Sequence, residues 1–140
     1  MIDPTIAAAI ISASGGLLGK LLELAGKSEP PTELAKKTID KTYDKLLPAI
    51  TTNSLRVLIA LRNVGSKQSS GMILPAVKEM QQRQEPGGKA FEADLDYRLK
   101  YLCLLGLVQI TTSEYAITQL GIAFVNRAAG DRTNYSLAFV

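Results

Sequence analysis

The sequence predicts a mainly α-helical protein with one small β-hairpin, and three observations carry that expectation. Phe91, Leu95, Leu99 and Leu102 recur at spacings of four, four and three, the period of one helix face. Directly after Gly106 the period shortens to two, through Leu107–Thr111 and Tyr115–Thr118, as in a pair of strands joined by a turn. Upstream, threonine or asparagine caps precede apolar stripes, and Pro48 and Gly65 follow them as stops. With 46% hydrophobic residues in 140, the chain is too apolar for disorder and long enough for one domain with a core.

The elements follow in four zones. Residues 1–28 are apolar and rich in small side chains. Ala8, Ser12 and Gly16 fall at spacing four, as do Gly15 and Gly19, a smooth helix face that another helix can approach closely. Leu17, Leu18, Leu21, Leu22 and Leu24 continue the apolar stripe. The simplest role is a helix packed on the protein's own core or on its copy in a homodimer; contact with a membrane surface is the alternative. Lys20 and Glu23 interrupt Ile6–Ala25, and only Asp3 precedes it, so neither a secretion signal nor a membrane span is expected.

Residues 29–51 read as an amphipathic linker or dimerisation helix. Thr32 caps it, Leu34, Ile39, Tyr43, Leu46 and Leu47 share a face, and Pro48 ends or bends it. Residues 52–128 carry the main domain. Thr52 or Asn53 caps a helix that Gly65 stops. Met72-Ile73 reads as a short strand, and Pro75 as the first residue of the next helix. Glu85–Gly88 is a loop, Phe91–Leu105 a helix closed by Gly106. The hairpin then leads through a Thr118 cap into a last helix. Residues 129–140 form a tail whose apolar end, Leu137–Val140, can dock on the domain or on a partner.

Composition excludes several kinds of chemistry. There is no histidine, and Cys103 is the one cysteine, so no disulfide framework, zinc finger or histidine-based catalysis is available. Neither Gly15-Gly16 nor Gly87-Gly88 has the lysine and strand context of a phosphate loop. Cys103 sits in an apolar run and reads as an inert buried thiol. No enzyme activity, cofactor or metal is expected, and the lone thiol fits a reducing, cytoplasmic setting. Net charge is +3. Residues 51–140 hold all of it, with ten Lys/Arg against seven acidic residues.

Leu99-Lys100-Tyr101-Leu102 followed by Gly106-Leu107-Val108, and then Ile117-Thr118-Gln119-Leu120-Gly121, resembles the winged helix-turn-helix family. The first run matches that family's third helix leading into its wing, the second its exit from the wing. The resemblance covers residues 52–128, so the fold expected is a winged helix-turn-helix plus N-terminal helices.

In DNA-binding members the third helix enters the major groove. The resemblance therefore implies Glu92, Ala93, Asp94, Asp96 and Tyr97 at the groove, with Arg98, Lys100 and Tyr101 farther along. Lys67, Lys78, Arg83, Lys89 and Arg132 are candidate phosphate contacts. The expected function is a small dimeric transcriptional regulator that binds double-stranded DNA through Lys78, Arg83, Lys89, Arg98 and Lys100, with Tyr97 and Tyr101 nearer the bases. Three carboxylates at the head of that helix, and a wing tip, Thr111–Glu114, without a cation, run against it. They favour the alternative, a winged-helix protein-interaction module assembled or membrane-anchored through its N-terminal helix.

Overall fold

Four hydroxyls set the starts of helices. Thr32, Thr51 and Thr118 Oγ1 and Ser69 Oγ each accept from a backbone N–H three residues on, from Ala35, Ser54, Gly121 and Met72 in turn. Each such cap is worth about 1 kcal/mol. The structure is a computed structural model that describes residues 31–87 and 94–139. The expectations for residues 1–28, and for Lys89, Glu92 and Ala93, lie outside the described residues.

The order is α1 (Glu33–Leu46), α2 (Thr52–Val64), α3 (Ser70–Gln84), α4 (Leu95–Leu104), β1 (Val108–Thr111), β2 (Glu114–Ile117) and α5 (Gln119–Ala129), then a 3₁₀ turn, Ser136–Phe139. The protein is thus mainly helical, with one antiparallel hairpin. Gly65 ends α2 in the left-handed region, φ 72°, as the stop signal implies. The cap of α2 is Thr51, one residue before the expected positions.

Two expectations fail together in α3. Met72-Ile73 is no strand but part of the first turns of α3, and Pro75 is the sixth helical residue, not the first. The reason is Ser69, whose hydroxyl starts the helix five residues earlier than the proline signal places it. Pro75 forgoes only the bond to the Gly71 carbonyl, close to the end where donors go unpaired anyway. Helix α4 begins at Leu95, directly after the turn residue Asp94, and the expected stretch 91–93 ahead of it lies outside the described residues. Asp94 occupies its cap position without a side-chain cap bond, because its carboxylate is turned to Arg98.

Helix α2 lies in the core, with Ser54 through Leu61 all buried. Gln119 through Val125 of α5 are buried as well. The apolar face of α1 packs against α5 of its own chain: Tyr43 meets Phe124 at 5.5 Å between ring centroids, and Arg127 lies over the Tyr43 ring at 4.3 Å. Tyr43 also donates its hydroxyl to Asp131 Oδ2 at 2.6 Å, and that bond, with one from Asn134, holds the Asp131 carboxyl below its ordinary range. The tail docks on the domain. Tyr135 packs edge-on to Phe124 and donates to the Ile50 carbonyl at 2.7 Å. Burial raises the pKa of both tyrosines.

In the hairpin Val108 pairs with Ile117 and Thr111 with Glu114. Tyr115 in turn exchanges both backbone bonds with Gln68, at 2.8 and 2.7 Å, so the α2–α3 loop closes on the outer side of β2. Where the hairpin feeds α5, Thr118 donates to the Gly106 carbonyl at 2.7 Å, and its N–H reaches Leu107 O at 3.1 Å. A side chain at Gly121 would overlap that Leu107 carbonyl and the Ile117 side chain, so only glycine permits this approach.

Arg56 on α2 is fully buried. Its Nε donates to Gln84 Oε1 at 2.8 Å and its Nη1 to Asn53 Oδ1 at 2.5 Å, while Glu85 Oε2 lies 2.6 Å from Nη1. Gln84 passes the link on, donating to the Ala138 carbonyl at 3.0 Å. Arg56→Ala strands these acceptors and opens a cavity. The expected loss is about 3 kcal/mol, read as a lower urea midpoint, whereas Glu85→Gln costs about 1 kcal/mol because the carboxylate is partly solvated. The hairpin tip offers the opposite test. Thr112 and Ser113 both have positive φ, 49° and 65°, a conformation that suits asparagine and glycine. Thr112→Asn with Ser113→Gly is expected to stabilise by about 1 kcal/mol in the same measurement.

Candidate interaction surface

Helix α4 turns two apolar faces in opposite directions. Leu95, Leu99 and Leu102 are buried against the body. Tyr97, Tyr101 and Leu104 recur at four and three on the far side, since each residue advances about 100° around a helix. Tyr97 and Leu104 are 52% and 54% exposed, and Tyr101 between them is partly buried against the core. Tyr97 and Tyr101 stack on one another, with centroids 6.4 Å apart and rings inclined by 26°. Exposed Asp96 and Lys100 border this ridge on one side, Asp94 and Arg98 on the other.

Arg98 is committed to the body of the protein. Its Nε and Nη2 donate to Asp94 Oδ2 at 3.1 and 2.9 Å. Its Nη1 donates to Thr51 Oγ1 at 2.9 Å and to Ser54 Oγ at 3.0 Å. The side chain therefore fastens α4 to the capping turn of α2. Beside it opens a cleft of about 250 Å³, walled by Pro48, Ala49, Tyr97 and Tyr101, with Arg98, Asp94, Thr51 and Ser54 at its base. The Oδ1 atom of Asp94 is buried there with no hydrogen-bond partner among the described residues.

The residues singled out by the sequence distribute unevenly. The structure brings Tyr97, Arg98 and Tyr101 together at the cleft, with Lys100 on the same helix. Lys78 is half-buried on α3. Arg83, also on α3, is exposed, lies 4.0 Å from Glu79 and lines a separate hollow with Asn63 and Val64 of α2. Lys67 and Arg132 are exposed. At the hairpin tip Thr111, Thr112 and Ser113 are exposed, and Ile110 beside them is 48% exposed. Sequence reasoning missed Leu104, Pro48, Ala49, Thr51 and Ser54. For Leu104 a signal existed, because it continues the Tyr97–Tyr101 spacing. The others reach the cleft only through the packing of α4 on the start of α2.

No group of three or more Cys, Asp or Glu side chains able to hold a metal ion occurs among the described residues, and no helix there is long and apolar enough to cross a membrane. No protein-family model matches the chain, and neither a curated protein nor a solved structure does.

Cys103, on the same helix, is half-buried, and burial pushes its thiol up to about 11. At pH 8 the reactive thiolate is then a very small fraction. Alkylation of the folded protein is expected to be at least about a hundredfold slower than in urea, because pKa and access act together. Mass-spectrometric timing of the single adduct checks this.

Proposed function

We propose that residues 52–128 form a winged-helix module that binds a protein partner through the outward face of α4. Three features support the winged-helix reading: the order of elements, the hairpin directly after α4, and the backbone pairing of Gln68 with Tyr115 beside it. The observation that carries the functional reading is the ridge of Tyr97, Tyr101 and Leu104, set opposite the buried face. Aromatic side chains at the centre of a patch, beside a cleft and rimmed by single charges, are the usual makeup of a protein-binding hot spot.

The duplex reading draws on Lys78, Arg83, Lys100, Tyr97 and Tyr101, with pairing of N-terminal helices supplying a second half-site. It has less behind it. Phosphate affinity grows with the number of available cations. Arg98 is held by Asp94, Thr51 and Ser54, exposed Asp96 borders the same face, and the hairpin tip offers Glu114 and no cation.

Two measurements decide between the readings. Leu104→Asp and Tyr97→Asp, both surface changes, are expected to weaken by at least about tenfold the complex that full-length protein forms with a cross-linked partner from its source cell, while Arg83→Ala leaves it unchanged. In fluorescence anisotropy, mixed-sequence duplex at low salt is expected to show only weak binding that Lys100→Ala hardly alters. Tight, steeply salt-dependent binding lost in Lys100→Ala would hand the surface to DNA instead.

A further inference from the structure

We propose that the C-terminal segment, residues 131–138, sets the shape of the cleft beside α4, with Tyr135 as the positioning residue. The consequence for binding rests on reading that cleft as part of the docking surface; the mechanical link is a property of the body itself.

The link starts from one buried bond. Tyr135 donates its hydroxyl to the Ile50 carbonyl at 2.7 Å, across 85 positions of sequence. A peptide unit is planar, so a carbonyl held in place also holds the nitrogen of the next residue. That residue is Thr51. Its Oγ1 accepts from Ser54 N at 3.3 Å, which caps α2, and from Arg98 Nη1 at 2.9 Å. Ile50 lies between cleft residues, Pro48 and Ala49 before it and Thr51 after it. Two hydrogen bonds and one rigid plane therefore separate Tyr135 from the guanidinium that fastens α4.

A second route ends beside the first. The Ala138 carbonyl accepts from Gln84 Nε2 at 3.0 Å, Gln84 Oε1 accepts from Arg56 Nε at 2.8 Å, and Arg56 Nη1 donates to Asn53 Oδ1. Asn53 directly precedes Ser54, whose Oγ is the other hydroxyl that Arg98 Nη1 reaches, at 3.0 Å. The segment thus holds the neighbours of both hydroxyls on which Arg98 rests. None of its described residues lines the cleft, so it acts by positioning and not by contact.

The attachment is slight enough to be reversible. Arg132, Thr133, Asn134 and Ser136 are exposed, and Tyr135 and Ala138 are the buried anchors among the described side chains. At the start of the segment Asp131 accepts from Tyr43 at 2.6 Å and from the Asn134 side chain at 2.9 Å. Terminal segments with few buried contacts open at the low end of a protein's range of local stability. Docked, the segment fixes the Ile50–Thr51 peptide and the cleft keeps its walls. Lifted, it leaves Arg98 without a fixed partner on α2, and α4 gains freedom beside Pro48 and Ala49. Linkage makes the effect mutual: a partner in the cleft holds the segment down, and a molecule that takes the segment weakens the cleft.

Amide hydrogen exchange of full-length protein, followed by NMR, tests the link. Ser54 N–H reports the α2 cap. Tyr115 N–H, bonded to Gln68 O at 2.7 Å in the hairpin region, is the internal reference. Tyr135→Phe keeps the ring against Phe124 and removes only the hydroxyl. It is expected to speed exchange at Ser54 by at least about fivefold and to shift the Arg98 Nε–H signal, with Tyr115 unchanged. Asp131→Ala, which undoes the other end of the segment, is expected to act in the same sense. Equal exchange at Ser54 in the wild type and either variant overturns the proposal. So does a rise that Tyr115 shares, since that marks lost overall stability. No partner enters this measurement, so its failure leaves the docking reading standing. If instead Leu104→Asp costs the partner nothing, the docking reading falls and the link between segment and cleft remains.

Discussion

A guanidinium taken wholly out of water organises the centre of this protein. Burying such a charge costs several kcal/mol unless it is paired and bonded, and Arg56 draws in three parts of the chain at Nε and Nη1, while its buried Nη2 has no hydrogen-bond partner among the described residues. Asn53 comes from the first turn of α2, Gln84 and Glu85 from the end of α3, and Ala138 from the tail by way of Gln84. Arg98 repeats the device on the next turn of structure, binding Thr51 and Ser54 while Asp94 balances its charge. Both arginines thus converge on the start of α2. A cation there opposes the helix dipole. Glu85 and Asp94 offset it, and together these four side chains fix how α3 and α4 leave the body.

That arrangement decides which face of α4 is left over. Leu95, Leu99 and Leu102 enter the core, and Arg98 prevents the helix from rolling about its axis. Tyr97 and Leu104 are consequently held outward rather than drawn in, although their apolar surface would favour burial, while Tyr101 between them is partly buried against the core. Stacking of the two tyrosines covers part of each ring. The remaining exposure sits on a rigid element, a setting in which apolar surface binds without first having to be ordered.

Much of the fold was legible in the sequence because caps and stops are local. Thr32, Thr118 and Gly65 act where their chemistry implies. The hairpin was legible from its change of period. Met72-Ile73 and Pro75 misled for an equally local reason: a proline within the first two turns resembles a proline at the first position, and Ser69 was the deciding residue. The site was legible only in part. Tyr97, Arg98, Lys100 and Tyr101 were identifiable as members of one helix. Two stripes of identical spacing on that helix cannot be ranked without knowing which one the core takes. Pro48, Ala49, Thr51 and Ser54 lie more than forty residues away in sequence, and no local pattern links them to α4.

Charge counting illustrates the same limit. Read along the chain, the third helix sets Glu92, Asp94 and Asp96 against Arg98 and Lys100, a tally of three to two that does not show which of these charges reach solvent. In space, Arg98 and Asp94 neutralise one another, and Arg98 reaches on to Thr51 and Ser54 at the start of α2, while exposed Asp96 and Lys100 flank the other side of the face. Long-range attraction for a polyanion depends on net available charge, and here almost none remains on that face. Contact at short range depends on apolar area and shape instead. A surface from which charge has been withdrawn, with its aromatic side chains left in place, is suited to another folded apolar face rather than to phosphate.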